Sequence, residues 1–285
     1  MIKNKNIIIE GPRSRPILID VFYTNTSHDL PVIVFCHGYK GFKDWGAWDL
    51  MAEYFANNGF CFVKFNFSFN GGTVSQPIDF PDLDAFGQNN YSTELNDLDT
   101  VLNWIEDELA QEIQLDQQKI TLIGHSRGGG IVTLKTAEDS RIAKVVSLAG
   151  VSDFKIRFNI DSEEFREWQQ TGVKYVLNGR TKQNMPHYFQ FFEDFIQNEK
   201  RLTISHAASN ITVPHLIIHG DNDTSVRVEE AYALHKWNAK SILKVIEGAN
   251  HVFGAAHPWT SNELPNEMIQ VCQLILDFIK SENHE

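Results

Sequence analysis

The sequence lacks several features that would mark a secreted or membrane protein. It has only three cysteines, an odd number: Cys36 and Cys61 lie in apolar runs, and Cys272 lies on an apolar helix face. Buried thiols of this kind argue against a disulfide framework and favour the reducing cytoplasm. No apolar run approaches 18 residues, and the run at 7–9 is too short for a signal peptide. We therefore expect a cytoplasmic protein without a membrane-spanning segment.

Basic charge is also scarce. The 285 residues include 37 acidic and 25 basic side chains, for a formal net charge of -12. No basic stripe is present, so nucleic acid is not an expected partner. Neither a G-x-G-x-x-G pattern nor a Walker pattern occurs, and His215 and His219 share a predicted strand face without a third ligand. We expect no cofactor and no metal.

The most informative stretch runs from 120 to 130. An apolar, β-branched segment leads into Gly124-His125-Ser126-Arg127-Gly128, and a segment that can form a helix follows. A strand, a sharp turn with serine at its tip and a helix together form a nucleophile elbow. The turn lifts the hydroxyl clear of the fold, where a histidine can remove its proton.

Strands and helices alternate through most of the chain. Apolar runs predict strands, and apolar residues at intervals of three and four predict helices. The strands are expected at 6–24 (two around a turn), 31–36, 60–67, 120–123, 145–148, 213–219 and 242–246, with helices near 48–58, 95–109, 131–137, 226–238 and 268–279. This alternation predicts an α/β fold whose parallel sheet is covered by helices on both faces.

Three segments together resemble the α/β-hydrolase superfamily. They are His37-Gly38-Tyr39-Lys40-Gly41, the Ser126 elbow, and the pair Asp221-Asn222-Asp223 with Gly248-Ala249-Asn250-His251. Their order is the Ser…Asp…His order of that superfamily. Within it, the chain resembles cinnamoyl and feruloyl esterases and the catalytic domains of prolyl-oligopeptidase relatives. Dienelactone hydrolases are also similar, but they have cysteine where this chain has Ser126.

The resemblance implies a catalytic triad. Ser126 is the expected nucleophile, and His251 is the expected general base, with His257 as its rival. Asp223 is the expected acid. Asp221, two residues earlier, and Asp153, after the strand at 145–148, remain alternatives.

The resemblance also implies an oxyanion hole. Its two donors are expected to be the backbone amides of Tyr39 and Arg127. The superfamily's mostly parallel sheet of eight strands is expected, in one domain over 1–285. An insertion at about 151–205 would form a cap.

The insertion is rich in aromatic residues. Tyr175 to Thr181 carries a hairpin signal, and a helix is predicted to begin near Pro186. On that helix Phe189, Phe192 and either Phe195 or Ile196 share one face. Tyr188 and Phe191 project elsewhere, towards the mouth of the catalytic sheet.

These features predict a serine hydrolase that cleaves small carboxylic esters through an acyl-enzyme. An apolar cap would favour uncharged esters with an apolar acyl or aryl part. Hydrolysis of short peptides or amides uses the same triad and is the alternative. The β-propeller usual before a prolyl-oligopeptidase domain has no room here, which favours esters. A catalytically silent binding protein on this fold is the third possibility.

Overall fold

The computed structural model describes residues 1–26 and 28–281. The domain predicted over 1–285 also includes Ser27 and 282–285, which lie outside the described residues. The described strands are β1 Ile2–Glu10, β2 Pro16–Tyr23, β3 Leu30–Cys36, β4 Cys61–Asn66, β5 Leu115–His125, β6 Ile142–Leu148, β7 Val173–Leu177, β8 Asn184–Tyr188, β9 His215–Gly220 and β10 Ile242–Ile246.

Helices separate most of these strands. They are α1 Trp48–Asn57, α2 Leu83–Gln88, α3 Tyr91–Trp104, α4 Ala110–Glu112, α5 Arg127–Glu138, α6 Glu163–Thr171, α7 Gln190–Gln197, α8 Glu199–Leu202, α9 Ile204–Asn210, α10 Val228–Trp237 and α11 Asn266–Lys280. Within the described residues, none of them is long and apolar enough to cross a bilayer.

The main sheet has the strand order β1-β2-β4-β3-β5-β6-β9-β10 in the described residues. β2 pairs antiparallel with both β1 and β4, and the remaining neighbours are parallel. The predicted mostly parallel sheet of eight strands is confirmed. Because the parallel strands all end at one edge, the loops that follow β3, β5, β6, β9 and β10 meet there.

Two apolar layers cover the sheet. Val32 and Val34 of β3 pack into the layer that contains α3 and α5, whereas Ile33 and Phe35 pack into the layer that contains α1 and α11. Alternate side chains of a strand point to opposite faces, so a strand covered on both sides is apolar throughout. This is why continuous apolar runs located these strands in the sequence.

The chain between β6 and β9 leaves the main sheet. β7 and β8 form a separate antiparallel hairpin, and α6 and α7 flank it. Phe165 of α6 packs against Phe189 and Phe192, and Trp168 packs against Phe189, with ring centroids 4.7–5.7 Å apart. α9 then packs against α5 and returns the chain to β9.

One local prediction is wrong in this region. Pro186 lies in strand β8, not at the start of a helix, and the helix begins at Gln190. Tyr175 and Pro186 are register partners in the hairpin, and the Trp168 indole donates to the His187 carbonyl at 2.7 Å. These contacts are distant in sequence and outweigh the local helix signal.

Candidate active site

Ser126 occupies the turn between β5 and α5. Its backbone has φ 58° and ψ -119°, a strained conformation for a residue other than glycine. The Ser126 amide donates to the Leu148 carbonyl at 2.9 Å, which ties the turn to the end of β6. A Cβ on Gly124 would overlap the Gly128 backbone, so the turn can close only with glycine there. The local geometry is that of a nucleophile elbow.

His251 and Asp223 reach this serine from the loops after β10 and β9. The Ser126 Oγ lies 3.1 Å from His251 Nε2, and His251 Nδ1 lies 2.7 Å from Asp223 Oδ2. The Ser126 side chain is within reach of solvent, the His251 side chain is 20% exposed and the Asp223 side chain is fully buried. The structure therefore brings the three residues together in the order Ser–His–Asp.

The charge of Asp223 determines the tautomer of His251. Burial alone would raise the pKa of Asp223, but hydrogen bonds from His219, His251 and the Val226 amide hold it well below its usual range. An ionised carboxylate only accepts hydrogen bonds, so the proton sits on His251 Nδ1. Nε2 is then left with a lone pair facing the Ser126 hydroxyl.

The alternative residues lie elsewhere. His257 Nδ1 accepts from the Gly46 amide at 3.0 Å, and its ring stacks on Trp45. Asp221 accepts from the Gly248 amide at 2.6 Å and so braces the loop after β10. Asp153 accepts from the Lys155 amide at 2.6 Å.

A second serine–histidine contact lies inside the fold. Ser147 Oγ is 3.0 Å from His215 Nε2, and both residues are buried. The other ring nitrogen of His215 faces the Asn238 amide at 3.5 Å rather than a carboxylate. Burial lowers the pKa of His215 to about 3. Neither residue lines the cavities that contain Ser126, and we interpret the pair as part of the packed interior.

The loop after β3 lies directly against the elbow. A Cβ on Gly38 would approach the Ser126 Cβ to 2.8 Å, so glycine permits this close contact. Tyr39 follows Gly38, and Arg127 is the first residue of α5, where an amide has no acceptor within the helix. His125 points into the fold, and its Nε2 lies 2.8 Å from the His251 carbonyl.

A cavity of about 570 Å³ opens at Ser126 between the sheet and the chain after β6. Its walls are largely aromatic. They include Tyr39, Tyr91, Phe154, Phe158, Trp168, His187 and Phe191, together with Arg127, Arg157, Lys174 and His251. Phe191 thus faces the site as predicted. Tyr188 does not: it alternates with His187 along β8, and its hydroxyl donates to Asp84 at 2.7 Å.

The sequence interpretation missed several residues of this cavity. His187 was hidden by the wrong helix assignment. The interpretation also missed Glu94, which does not line the cavity but accepts from Arg127 Nη1 at 3.2 Å. Glu94 lies four residues before Leu98 and so shares the apolar face of α3. That position could have identified it as a buried charge. Nothing local distinguishes Arg157 and Lys174 from surface cations.

Known proteins support this assignment of fold. A Synechocystis protein with the provisional name non-heme chloroperoxidase is 26% identical over 300 aligned positions, or 92% of this chain and 95% of that one. The peptidase YtmA of Bacillus subtilis, itself uncharacterised, is 29% identical over 49% of this chain and 48% of its own.

Solved structures share the whole architecture. Est1E from Butyrivibrio proteoclasticus superposes with a TM-score of 0.68 at 15% identity, over 97% of this chain and 96% of its own. A puromycin hydrolase superposes with a TM-score of 0.67 at 16% identity, over 97% of this chain and 38% of its own. At such identities the likeness concerns the fold alone. The family model for the alpha/beta hydrolase fold matches residues 31–206, more than half of the chain, and the protein therefore belongs to the α/β-hydrolase fold family.

Proposed function

We propose that the protein is a serine hydrolase that cleaves carboxylic esters of small molecules. One observation carries the proposal. The Ser126 hydroxyl, the His251 ring and the Asp223 carboxylate are joined by contacts of 3.1 and 2.7 Å at a cavity large enough for a small ester. In this arrangement a base, an orienting acid and a nucleophile are already aligned.

The reaction has two halves. His251 Nε2 takes the proton of Ser126 as Oγ attacks the ester carbonyl, and Asp223 stabilises the imidazolium that forms. The imidazolium then protonates the departing alcohol, which leaves the acyl group on Ser126. Water, deprotonated by His251, then attacks the acyl-enzyme. As the bond to Ser126 Oγ breaks and the acid leaves, the imidazolium returns the proton to Oγ.

The negative charge of each tetrahedral intermediate needs two donors. We assign this role to the backbone amides of Tyr39 and Arg127. The Arg127 amide starts α5, whose dipole favours negative charge at that end. The contact between Gly38 and Ser126 supports the Tyr39 assignment, because it holds the loop after β3 against the nucleophile.

The esterase proposal is supported by several structural relatives. One Est1E structure is described as having ferulic acid bound, and another relative is an esterase domain from Rhodothermus marinus. Amide hydrolysis is the second candidate, favoured by the likeness to puromycin hydrolase and YtmA. Both reactions would use Ser126, so only the choice of substrate separates them.

We propose further that 151–205 acts as a cap within a single domain. Its residues Phe158, Trp168 and Phe191 line the cavity opposite Ser126, which supports this role. The cytoplasm is the proposed location, because the three cysteines are free, buried thiols.

The test compares two serine variants. Ser126→Ala should lower kcat on 4-nitrophenyl butyrate on the order of 10⁶-fold, by analogy with another serine hydrolase. It should also abolish labelling by a fluorophosphonate probe. Ser147→Ala removes the buried serine–histidine contact and should leave labelling intact.

A parallel assay with aminoacyl 4-nitroanilides separates the two candidate reactions. Ester turnover without anilide turnover supports the esterase. The opposite pattern supports the amidase. Labelling that persists in Ser126→Ala would reject Ser126 as the nucleophile.

A further inference from the structure

The charged residues that line the cavities at Ser126 are basic, although the chain as a whole is acidic. Acidic residues outnumber basic ones by 37 to 25. Two cavities meet at Ser126, one of about 570 Å³ and one of about 240 Å³. Within residues 1–26 and 28–281, no aspartate or glutamate lines either cavity. The basic residues that line them are Arg127, Arg157 and Lys174 in the larger cavity and Lys40 and Arg180 in the smaller.

Arg127 is held beside the nucleophile by aromatic rings. Its guanidinium carbon lies 4.6 Å from the centroid of Tyr39 and 5.4 Å from those of Tyr91 and Phe191. Its Nη1 donates to Glu94, the acceptor found for it among the described residues. A guanidinium has five donors in a planar fork, so most of this one is available to a ligand. The side chain is 14% exposed and lines the larger cavity.

Arg157 and Lys174 add charge to the same cavity. Each forms an ion pair with a carboxylate that does not line the cavity. Arg157 pairs with Glu230, and Lys174 pairs with Glu164 at 3.6 Å. Glu164 is 72% exposed, and ion pairs exposed to this degree contribute little. Lys174 can therefore turn to a ligand at small cost. The pair of Arg157 with Glu230 is less exposed, but it uses only Nη2 of the five donors of a guanidinium, so Arg157 can donate to a ligand without breaking it. The Lys174 ammonium also lies 4.5 Å from the Trp168 ring centroid, which keeps it at the wall.

His187 responds to this positive surrounding. Burial, and after it the charges of Arg127, Lys174 and Lys40, together lower its pKa to about 3. The imidazole is therefore neutral and adds no charge of its own. Its Nε2 shares a hydrogen bond with the Tyr39 hydroxyl.

We propose that the larger cavity selects esters that carry a carboxylate beside an apolar or aromatic part, and that Arg127 and Arg157 bind this carboxylate. The inference rests on the proposed esterase function. It replaces the expectation of uncharged substrates. Arg127 directly follows Ser126 in sequence, and both line one cavity, so the bound carboxylate lies near the scissile carbonyl. The aromatic walls receive the apolar part.

Binding can be measured without turnover. Wild-type protein is titrated by calorimetry with 4-phenylbutyrate and with 4-phenylbutyramide, which match in shape and differ in charge. At low ionic strength the carboxylate should bind about tenfold to a hundredfold more tightly, as expected for a charge-assisted hydrogen bond. Added salt should reduce the preference.

Two variants locate the cations, and a third serves as control. Arg127→Gln and Arg157→Met should each lower the preference for the carboxylate about tenfold. Arg157→Met is needed because Arg127 is mostly buried and its loss can disturb the fold. Lys155→Met changes a cation two residues from Arg157 in the same helical turn, outside the cavity lining, and should leave the preference unchanged. Equal affinity for the two ligands in wild-type protein would overturn the proposal.

Inhibition kinetics locate the binding site of 4-phenylbutyrate and distinguish the proposed carboxylate site from the proposed esterase function. 4-Phenylbutyrate should raise KM for 4-nitrophenyl butyrate without lowering kcat, because the inhibitor and the ester would compete for the cavity at Ser126. Inhibition that lowers kcat alone would place it elsewhere and overturn the inference. If no ester is cleaved but the carboxylate still binds selectively, the proposed function fails while the anion site stands.

Discussion

The Tyr39 hydroxyl lies 2.7 Å from His187 Nε2. This hydrogen bond joins the loop after β3, which we assign to the oxyanion hole, to strand β8 of the proposed cap. Burial raises the pKa of Tyr39 to about 12 and lowers that of His187 to about 3, so both groups are neutral near pH 7. A neutral hydrogen bond between two half-buried groups thus couples the cap to the proposed oxyanion hole.

Tyr39→Phe tests this coupling. The variant leaves the half-buried His187 Nε2 without its partner, at a cost of about 1 kcal/mol. Loss of the bond should shift the backbone amide of residue 39 in the proposed oxyanion hole. We therefore expect kcat on 4-nitrophenyl butyrate to fall roughly tenfold while KM changes little. Tyr188→Phe is the control, since it removes the surface bond to Asp84 from the neighbouring residue of β8. A kcat for Tyr39→Phe equal to that of Tyr188→Phe would show that the bond does not position the oxyanion hole.

Neutralising Asp223 and Asp221 in turn distinguishes the carboxylate that orients His251 from the one that only braces the loop after β10. Asp223→Asn should lower kcat about 10⁴-fold. An asparagine amide does not hold His251 in the tautomer with its proton on Nδ1, which leaves Nε2 free to accept the proton of Ser126. Asp221→Asn weakens one bond to the Gly248 amide and should cost less than about tenfold. Steady-state kinetics on one ester, with thermal unfolding as a check on folding, measure both effects. A larger loss in Asp221→Asn would move the acid to that residue.

Much of the catalytic sheet was readable from the sequence because its signals are local. Continuous apolar runs predict the buried strands. The turn at Ser126 depends on glycines within four residues of it. The grouping of Ser126, Asp223 and His251 was predicted from the resemblance of three segments to the α/β-hydrolase superfamily, and the parallel arrangement of β5, β9 and β10 explains it physically. Strands that end at one edge bring their following loops together.

The chain between β6 and β9 was less readable because its contacts are non-local. β8 forms a strand since β7 supplies a hydrogen-bonding partner, although Pro186 and its aromatic neighbours suggest a helix start. Because 184–188 is a strand and not a helix, His187 lines the cavity and Tyr188 points to the opposite side of β8. The role of Arg127 was hidden for a similar reason. Its partner Glu94 is 33 residues away on α3.

A buried ionic network beneath the loop after β3 should dominate the stability of that region. The Lys64 ammonium is fully buried and lies 2.7 Å from Asp20, 3.0 Å from Asp44 and 2.8 Å from Asp49. Lys64→Met removes a cation from the fully buried Asp20 and from Asp44 and Asp49, which are partly exposed, and should lower the free energy of unfolding by about 3–5 kcal/mol.

The surface pair formed by Lys3 and Glu53 is the matched control for this network. Their side chains are 41% and 27% exposed, so Lys3→Met should cost less than about 1 kcal/mol. Urea unfolding of both variants measures the difference. Similar losses would mean that the buried network carries no more free energy than an exposed pair.

Asp97 should make the protein less stable as the pH rises. The side chain is buried in α3, and burial raises its pKa to about 8 even though Ser68 donates to it through both its amide and its hydroxyl. In the unfolded chain the pKa of an aspartate is about 3.9. The folded state therefore keeps a proton that the unfolded state releases. The stability tied to that proton is complete below about pH 4 and is lost as the pH rises to about 8.

Asp97→Asn mimics the protonated side chain at every pH. Its amide can donate to the Ser68 hydroxyl while its oxygen accepts from the Ser68 amide. The free energy of unfolding of the wild type should fall relative to that of the variant between pH 5 and 8, by an amount on the order of a few kcal/mol. Urea unfolding of the two proteins at intervals across this range measures the difference. Parallel curves for the two proteins would mean that Asp97 is already ionised in the folded state.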